Sequence, residues 1–366
     1  MRSSPTENPH LARQERLRAL MEEQRLPSLL VTNLTNIAYL SGFRGSAGVA
    51  LFTSGEGVLW VDPRYTLQAR EQACGVEVVE ERKGLLKAVA ERLKTNKIRH
   101  VGYDDAHLTC ADFSRLEDGA GPRVKLIPAA GLVEQLRAVK DREEVAKIRG
   151  AGRITAQVFE KVLAGVRPGV SESDLGAEIE YRMRKKGAEG VAFETIVASG
   201  PRAALPHART SGKLLGENEF VIFDLGAILG GYAADMTRTV HLGEPSRRVR
   251  SLYNAVVEAQ EKAAQSALPG VRAWEVDAVA RRTLAGRGLA RFFTHSTGHG
   301  VGMDIHEMPR LARGEKARLQ TGNVVAVEPG VYLEGFGGIR VEDTILVGPH
   351  GPEILTPTPK DQWVVG

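Results

Sequence analysis

Residues 221–240 read VIFDLGAILGGYAADMTRTV, two strand-like runs on either side of the turn signal Gly230-Gly231. Each run carries one aspartate among apolar residues, Asp224 in the first and Asp235 in the second. A turn centred on Leu229–Gly230 would place the aspartates directly opposite each other, where Cβ atoms lie about 4.5–5.5 Å apart. Two carboxylates at that distance repel unless a positive charge lies between them. The hairpin is therefore predicted to hold a metal ion.

The same arrangement occurs a second time, in residues 324–346, which read VVAVEPGVYLEGFGGIRVEDTIL. Glu328 follows four apolar residues and Glu342 lies in the returning run, so a turn centred on Gly335 brings the two glutamates level. An acidic side chain at a buried strand position needs a partner, because desolvating an unpaired charge is costly. This hairpin is predicted to supply two more metal ligands.

Histidines are concentrated between the hairpins. Residues 295–306, HSTGHGVGMDIH, hold three of the nine histidines, and their glycines let the backbone approach a ligand closely. Any one of these residues alone fits an ordinary structural role, but two matched acidic hairpins beside a histidine cluster favour a site for two metal ions. One imidazole and four carboxylates suit Mn²⁺ or Co²⁺ better than a thiolate-seeking ion. The predicted ligands are Asp224, Asp235, His299, Glu328 and Glu342.

An internal repeat surrounds these segments. Pro168-Gly169-Val170 recurs as Pro269-Gly270-Val271, and a helical pattern follows each copy. Each pattern then leads into a segment that is predicted to be a strand, residues 193–197 and 292–296. A unit present twice predicts two pseudo-symmetric halves, with the site between them.

The length of 366 residues suggests two domains. Up to about residue 130, short apolar strands alternate with helical patterns, which is typical of an α/β domain. Asp141 and Glu144 resemble a capping box that opens a long helix ending near Leu163. We therefore expect an α/β (α+β) protein with domains 1–135 and 136–366.

Composition argues against several other classes of protein. The net charge of +4 is small for this length, so we read the arginines near residue 250 as a solvated helix face and expect no nucleic-acid partner. Two cysteines, Cys74 and Cys110, are too few for a disulfide scaffold. The polar residues 1–10 are expected to be frayed and lack the apolar run of a signal peptide. No segment approaches the roughly 20 apolar residues of a membrane span, so we expect a soluble cytoplasmic protein.

Five segments resemble the motifs of the "pita-bread" metallopeptidases, in particular the Xaa-Pro aminopeptidases and the Xaa-Pro dipeptidases (prolidases). The segments occur in the family's order, with every ligand position filled: FDLGA at 223–227, ADMTRT at 234–239, STGHGVGMDIHE at 296–307, VEPGVY at 327–332 and GIRVEDT at 338–344. Residues 42–48 and 62–68 are similar to segments of aminopeptidase P-like members. The resemblance implies a creatinase-type α/β domain over 1–135 and a pseudo-two-fold pita-bread catalytic domain over 136–366.

The resemblance also implies roles for single residues. Glu328 would carry the catalytic proton, and His207 and His306 would act on the substrate carbonyl. The substrate-binding residues would be His207, His295, His306, Arg340 and Tyr332. The implied cofactors are two divalent ions, Mn²⁺ first, with Co²⁺ and Zn²⁺ as alternatives. The implied substrate is a peptide with proline at its second position, cleaved before that proline by a homodimer.

Alternatives within and outside this activity stay open. A prolidase restricted to dipeptides has the same ligand set, although residues 43–47 and 62–65 favour the aminopeptidase. A non-catalytic peptide-binding module on the same fold is disfavoured, because such relatives typically lose ligands. Methionine aminopeptidases lack the creatinase-type domain, and creatinase lacks the metal ligands.

Overall fold

The structure is a computed structural model that describes residues 8–365. It divides into two compact units between Arg137 and Ala138, two residues beyond the expected boundary. The first seven residues, most of the segment expected to be frayed, lie outside the described part. Every helix in the described part is too short or too polar to span a bilayer.

The N-terminal unit is an α/β domain. Its strands are β1 (Ser28–Val31), β2 (Val49–Thr53), β3 (Gly57–Val61), β4 (Glu77–Glu80), β5 (His100–Tyr103) and β6 (Lys125–Pro128). Its helices are α1 (Pro9–Glu23), α2 (Leu34–Ser41), α3 (Thr66–Gln72), α4 (Leu85–Thr95), α5 (Cys110–Ala120) and α6 (Leu132–Ala138). The strands form one mixed sheet in the order β4-β3-β2-β1-β5-β6, and its core includes the buried Leu30, Trp60 and Leu93.

The C-terminal unit begins with the predicted long helix. Its helices are α7 (Arg142–Leu163), α8 (Glu172–Lys185), α9 (Arg247–Ser266) and α10 (Ala273–Gly286). The Asp141 side chain accepts hydrogen bonds from the backbone of Glu143 and Glu144, and the Glu144 carboxylate accepts one from Asp141 N–H at 2.9 Å. The capping box and the end of the helix at Leu163 are thus confirmed.

Two main sheets form the centre of the C-terminal unit. The strands up to residue 242 are β7 (Gly190–Val191), β8 (Ile196–Ser199), β9 (Phe220–Leu225), β10 (Ala227–Leu229), β11 (Tyr232–Ala233) and β12 (Met236–Leu242). Those that follow are β13 (Gly298–Gly300), β14 (Glu307–Leu311), β15 (Val324–Val327), β16 (Gly330–Leu333), β17 (Gly337–Arg340), β18 (Asp343–Gly348), β19 (Gly351–Ile354) and β20 (Val364–Val365). The main sheets have the orders β20-β12-β9-β8 and β14-β13-β15-β18-β19. Helices α7 and α8 pack on the first sheet, and α9 and α10 on the second.

The sequence repeat corresponds to two copies of one turn. Gly169 and Gly270 adopt φ values of 84° and 85°, which glycine tolerates without a steric cost. Gly169 N–H donates to Leu215 O at 2.9 Å, and Gly270 N–H donates to Leu319 O at 2.7 Å. Helices α8 and α10 follow these turns, so the unit consists of two similarly built halves, as predicted.

The strands expected after the two repeats differ from the structure. Residues 193–197 overlap only the beginning of β8. Residues 292–296 form no strand; a 3-10 helix, Ala290–Phe292, leads into irregular backbone. The reason is that Arg281 of α10 donates hydrogen bonds to Phe293 O and His295 O. The segment therefore bonds to a helix side chain where a sheet partner was expected.

Candidate metal centre

The first acidic hairpin has a different register from the predicted one. The pairing of β10 with β11 places Gly230-Gly231 at the centre of the turn, with φ values of 58° and 75°. A two-residue type I′ turn requires positive φ at both central residues, which favours two glycines. Asp224 therefore pairs with Thr237, and the prediction that it lies directly opposite Asp235 is wrong. Asp235 precedes Thr237 by two residues and so remains on the same face as Asp224.

The second acidic hairpin has the predicted register. Strand β15 pairs with β18 and β16 with β17 in one continuous register, which places Glu328 level with Glu342. The strands are interrupted at both glutamates because their N–H groups bond elsewhere. Glu328 N–H donates to Thr297 O at 2.7 Å, and Glu342 N–H donates to Thr237 O at 3.1 Å. These bonds tie the backbone at Glu328 to the residue before β13 and the backbone at Glu342 to β12.

His299 lies in β13, between the two hairpins. Its Nε2 is 3.6 Å from Asp235 Oδ2 and 3.6 Å from Glu328 Oε1. Its Nδ1 is 3.0 Å from Gly300 O, so this nitrogen carries the proton and Nε2 presents its lone pair to the carboxylates. Burial lowers the pKa of His299 to about 4. The imidazole is therefore neutral, as metal coordination requires.

All the predicted ligands converge on one buried cluster. Single ligand atoms of Asp235, His299 and Glu342 lie within 4.8 Å of one another. Glu328 joins them through its contact with His299, and Asp224 is linked to Glu342 by hydrogen bonds through Arg340 and Thr237. The cluster therefore combines two acids from the first half with a histidine and two acids from the second.

Burial and mutual repulsion strongly affect these carboxyl groups. Burial raises the pKa of Asp235 and Glu342 well above the usual range, and the neighbouring carboxylates raise it further. Burial also raises the pKa of Glu328 to about 8, while the Arg340 guanidinium opposes the shift and Asp224 adds to it. Such a group of acids cannot all be ionised unless a cation lies among them.

Two of the carboxylate oxygens lack a hydrogen-bond partner within the described residues. They are Asp224 Oδ1 and Glu342 Oε1, both buried. Buried polar atoms in folded proteins almost always have a partner, so an unpaired one requires an explanation. A divalent ion supplies that partner, and a donor set of carboxylate oxygens and one imidazole nitrogen matches its preference. The residues present therefore fit a divalent metal centre.

Arg340 and Thr237 connect ligands from the two hairpins. Arg340 Nη2 donates to Asp224 Oδ2 at 2.6 Å, and its Nε donates to Thr237 Oγ1 at 3.0 Å. Thr237 Oγ1 in turn donates to Glu342 Oε2 at 2.6 Å. Sequence reasoning singled out Arg340 but missed Thr237. The available signal was its position two residues after Asp235, on the same face.

Thr344 plays the reciprocal part in the second half. It follows Glu342 by two residues, as Thr237 follows Asp235. Its Oγ1 accepts from Asp235 N–H at 3.1 Å and donates to Asp235 O at 2.7 Å. Each half therefore uses a threonine to hold an acid of the other half, although Thr237 holds a carboxylate and Thr344 holds backbone.

The other predicted histidines surround the cluster. The exposed His306 packs edge-to-face on the His299 ring, with centroids 4.3 Å apart. His207 is also exposed and follows Pro206, whose carbonyl accepts a hydrogen bond from Arg340 Nη1 at 3.0 Å. Both imidazoles are thus open to a bound molecule at the edge of the cluster.

His295 is more enclosed. Its Nδ1 is 2.8 Å from Ser296 O, and its Nε2 accepts from Tyr332 Oη at 2.9 Å. Tyr332 Oη also accepts from Arg340 Nη1 at 2.9 Å. Burial lowers the pKa of His295 to about 4, and the Arg340 charge adds to this. Both ring nitrogens are engaged, so His295 orients Tyr332 in this structure.

Comparison with known families agrees with this geometry. Residues 146–349 match the family described as metallopeptidase family M24, and residues 13–139 match the creatinase/prolidase N-terminal domain. The first match spans more than half of the chain and includes every proposed metal ligand. The second covers the N-terminal α/β unit.

Individual relatives are similar over nearly their full length. An Xaa-Pro dipeptidase from Bacillus anthracis has a solved structure with a TM-score of 0.94 and 38% identity, covering 97% of this chain and 100% of that one. The solved structure of an X-Pro aminopeptidase from Thermotoga maritima has a TM-score of 0.88 and 38% identity, covering 96% of this chain and 99% of that one. An Xaa-Pro dipeptidase of Pyrococcus horikoshii is 33% identical, with 93% of this chain and 95% of that protein covered.

Proposed function

The chain belongs to metallopeptidase family M24, and we propose that it hydrolyses the peptide bond between an N-terminal residue and a proline in the second position. It is a metal-dependent peptidase, which sets aside the non-catalytic binding module. The observation that carries the proposal is the buried cluster of Asp235, His299 and Glu342. Within the described residues, its Glu342 Oε1 atom has no hydrogen-bond partner. The specificity for proline is supported by the names of the similar proteins.

We propose that two divalent ions occupy the cluster, held by Asp224, Asp235, His299, Glu328 and Glu342. Mn²⁺ is the preferred ion, because the donor set is rich in carboxylate oxygen; Co²⁺ and Zn²⁺ are the alternatives. When bound, the ions would lower the pKa of a water molecule and so supply hydroxide near neutral pH.

The protein's own groups would then manage the proton and the substrate. The Glu328 side chain is 18% exposed, against 13% for Asp224 and 7% for Asp235, and Glu342 is buried, so Glu328 is the most accessible acid of the cluster. We assign to Glu328 the transfer of a proton to the leaving nitrogen. That transfer is essential because the nitrogen of a peptide bond is too basic to leave as an anion and must be protonated as the C–N bond breaks.

The exposed histidines are proposed to bind the scissile carbonyl. His207 and His306 present their imidazoles at the edge of the cluster and would donate hydrogen bonds to the oxygen on which charge develops. His295 would act with Tyr332 and Arg340, which form one hydrogen-bonded chain ending at Asp224. This chain fixes the orientation of Asp224.

Domain roles and assembly are part of the same proposal. The N-terminal unit would be the creatinase-type domain, and the C-terminal unit the pita-bread catalytic domain. The protein would act as a homodimer in the cytoplasm, on peptides and not on nucleic acids or membranes.

The accepted length of substrate separates two candidate activities. We propose an aminopeptidase that also trims longer peptides, which segments 43–47 and 62–65 favour. A prolidase restricted to dipeptides is the second candidate, favoured by the names of the Pyrococcus and Bacillus proteins.

The test compares an Xaa-Pro dipeptide with an Xaa-Pro-Xaa tripeptide in the presence of Mn²⁺. Cleavage of both supports the aminopeptidase, and cleavage of the dipeptide alone supports the prolidase. Activity should disappear with a chelator and return with Mn²⁺. Failure to cleave either peptide when metal is bound contradicts the proposed function.

A further inference from the structure

One buried carboxylate fixes both ends of the loop that carries His207. Glu172, the first residue of α8, is completely buried. Its Oε1 accepts from Ser199 N–H at 2.8 Å and from Ser199 Oγ at 2.9 Å. Its Oε2 accepts from Ser211 N–H at 3.2 Å and from Ser211 Oγ at 2.7 Å. Because Ser199 and Ser211 bracket His207, this carboxylate closes the loop at its base.

Two further contacts hold the interior of the loop. Arg202 Nε donates to Glu172 Oε2 at 3.1 Å, and Arg202 Nη2 donates to Arg209 O. Pro206 O accepts from Arg340, so the residue before His207 is tied to the guanidinium that also binds Asp224. Glu172 touches neither a metal ligand nor the exposed imidazole. Its influence on His207 runs through the backbone of the loop.

A second buried carboxylate acts in the same way on the segment that carries His295. Asp277, in α10, is 1% exposed. Its Oδ1 accepts from Thr297 N–H at 3.1 Å and from Thr297 Oγ1 at 2.8 Å. Its Oδ2 accepts from Arg281 Nε at 2.7 Å, and the same guanidinium donates to His295 O. Asp277 and Arg281 therefore fix the backbone on both sides of His295.

We propose that Glu172 and Asp277 are paired positioning residues, one in each half, that set the placement of His207 and His295. This inference rests on the proposed function only for its kinetic readout. Loops without such bonds open locally at low cost, and a misplacement of about 1 Å at a catalytic group can cost about 100-fold in rate. In each half, a buried carboxylate whose two oxygens both accept hydrogen bonds limits that motion.

The kinetic test uses Glu172→Gln and Asp277→Asn, which preserve the shape of each side chain. We expect kcat on an Xaa-Pro dipeptide to fall by about 10- to 100-fold, with bound metal unchanged. Asp174→Asn is the matched control, because Asp174 is an exposed acid on the same turn of α8. It should retain wild-type kinetics, and an equal loss in this control would contradict the proposal.

A double variant separates positioning from general stability. If Glu172 acts through His207, Glu172→Gln should reduce kcat less than twofold further when His207→Ala is already present. Two losses that simply multiply would show that Glu172 acts independently of His207 and would overturn the assignment.

A spectroscopic measurement tests the inference without depending on turnover. With ¹³C-labelled histidine, the His207 signal should shift or broaden in Glu172→Gln, and the His295 signal in Asp277→Asn. The buried His241 should be unaffected in both variants. Unchanged His207 and His295 signals would refute the inference even if the wild type is active. Should the wild type cleave no Xaa-Pro peptide, the proposed function fails and these signals still decide the inference.

A milder substitution tests the same contact in case Glu172→Gln does not fold. Ser211→Ala removes one of the donors to Glu172 and leaves the carboxylate bonded to Ser199 and Arg202. If Glu172→Gln does not fold, Ser211→Ala should still shift or broaden the His207 signal relative to the wild type. No change in that signal would then count against the inference.

Discussion

The two halves of the catalytic unit share one plan but contribute differently to the proposed metal centre. Both begin with a Pro-Gly turn and a helix, and both place an acid before an inner strand of the main sheet. The first half contributes short acids, Asp224 and Asp235. The second contributes two longer acids and the histidine: His299, Glu328 and Glu342.

Each half also positions ligands of the other. Arg340 from the second half bonds Asp224, and Thr237 from the first half bonds Glu342. A ligand and the group that orients it thus lie on opposite sides of the pseudo-two-fold axis. Neither half therefore contains a complete, correctly oriented site, and we expect the two to fold together before metal binds.

The largest expected effect is at Glu328, whose environment differs from that of its counterpart Asp224 in the other half. Asp224 lies in β9 and Glu328 directly follows β15, each in the first run of its acidic hairpin, but Asp224 is bonded to Arg340, whereas Glu328 is the most exposed acid of the cluster. Glu328→Gln should lower kcat by about 10²- to 10⁴-fold, because a positioned proton carrier contributes that much. Rates should be measured on an Xaa-Pro dipeptide at matched metal occupancy. Wild-type turnover by this variant would contradict the proposed difference between the halves.

The two reciprocal threonines should have different effects. Thr237→Val removes the hydrogen bond to the Glu342 carboxylate and a partner of Arg340, so metal affinity should fall by about 10- to 100-fold. Thr344→Val removes bonds to the backbone of Asp235, so it should mainly cost about 1–3 kcal/mol of unfolding free energy. Metal titration and denaturant unfolding of both variants would check this. Equal losses of metal affinity would show that the halves are equivalent in this respect.

The sequence predicted those parts of the site in which one local rule dominates. The hairpin centred on Gly335 has the predicted register, and so Glu328 and Glu342 are level. The first hairpin was misplaced because its register depends on turn type. Gly230-Gly231 suits a type I′ turn, and this turn makes Thr237, not the predicted Asp235, the residue opposite Asp224.

Long-range hydrogen bonds explain the remaining differences. Residues 292–296 were predicted to form a strand, but Arg281 donates hydrogen bonds to two of their carbonyl groups. Glu172 and Asp277 lie near the starts of α8 and α10, where negative charge is common, so their positions in the sequence indicate no special role. Only the fold shows that they are buried and bonded to distant loops. Such contacts depend on tertiary structure and leave no periodic signal in the sequence.

The smallest expected effect tests the feature in which the halves are most alike. Gly169→Ala and Gly270→Ala place a side chain at φ values of 84° and 85°, with no atom within 4 Å of the added Cβ. Each should therefore cost only the backbone strain of a left-handed residue, roughly 1–2 kcal/mol of unfolding free energy. Gly286→Ala, at the end of α10, is the control; its added Cβ also meets open space, and it should be neutral or stabilising. Denaturant unfolding of the three variants measures the costs, and clearly unequal costs at Gly169 and Gly270 would show that the two turns support their halves differently.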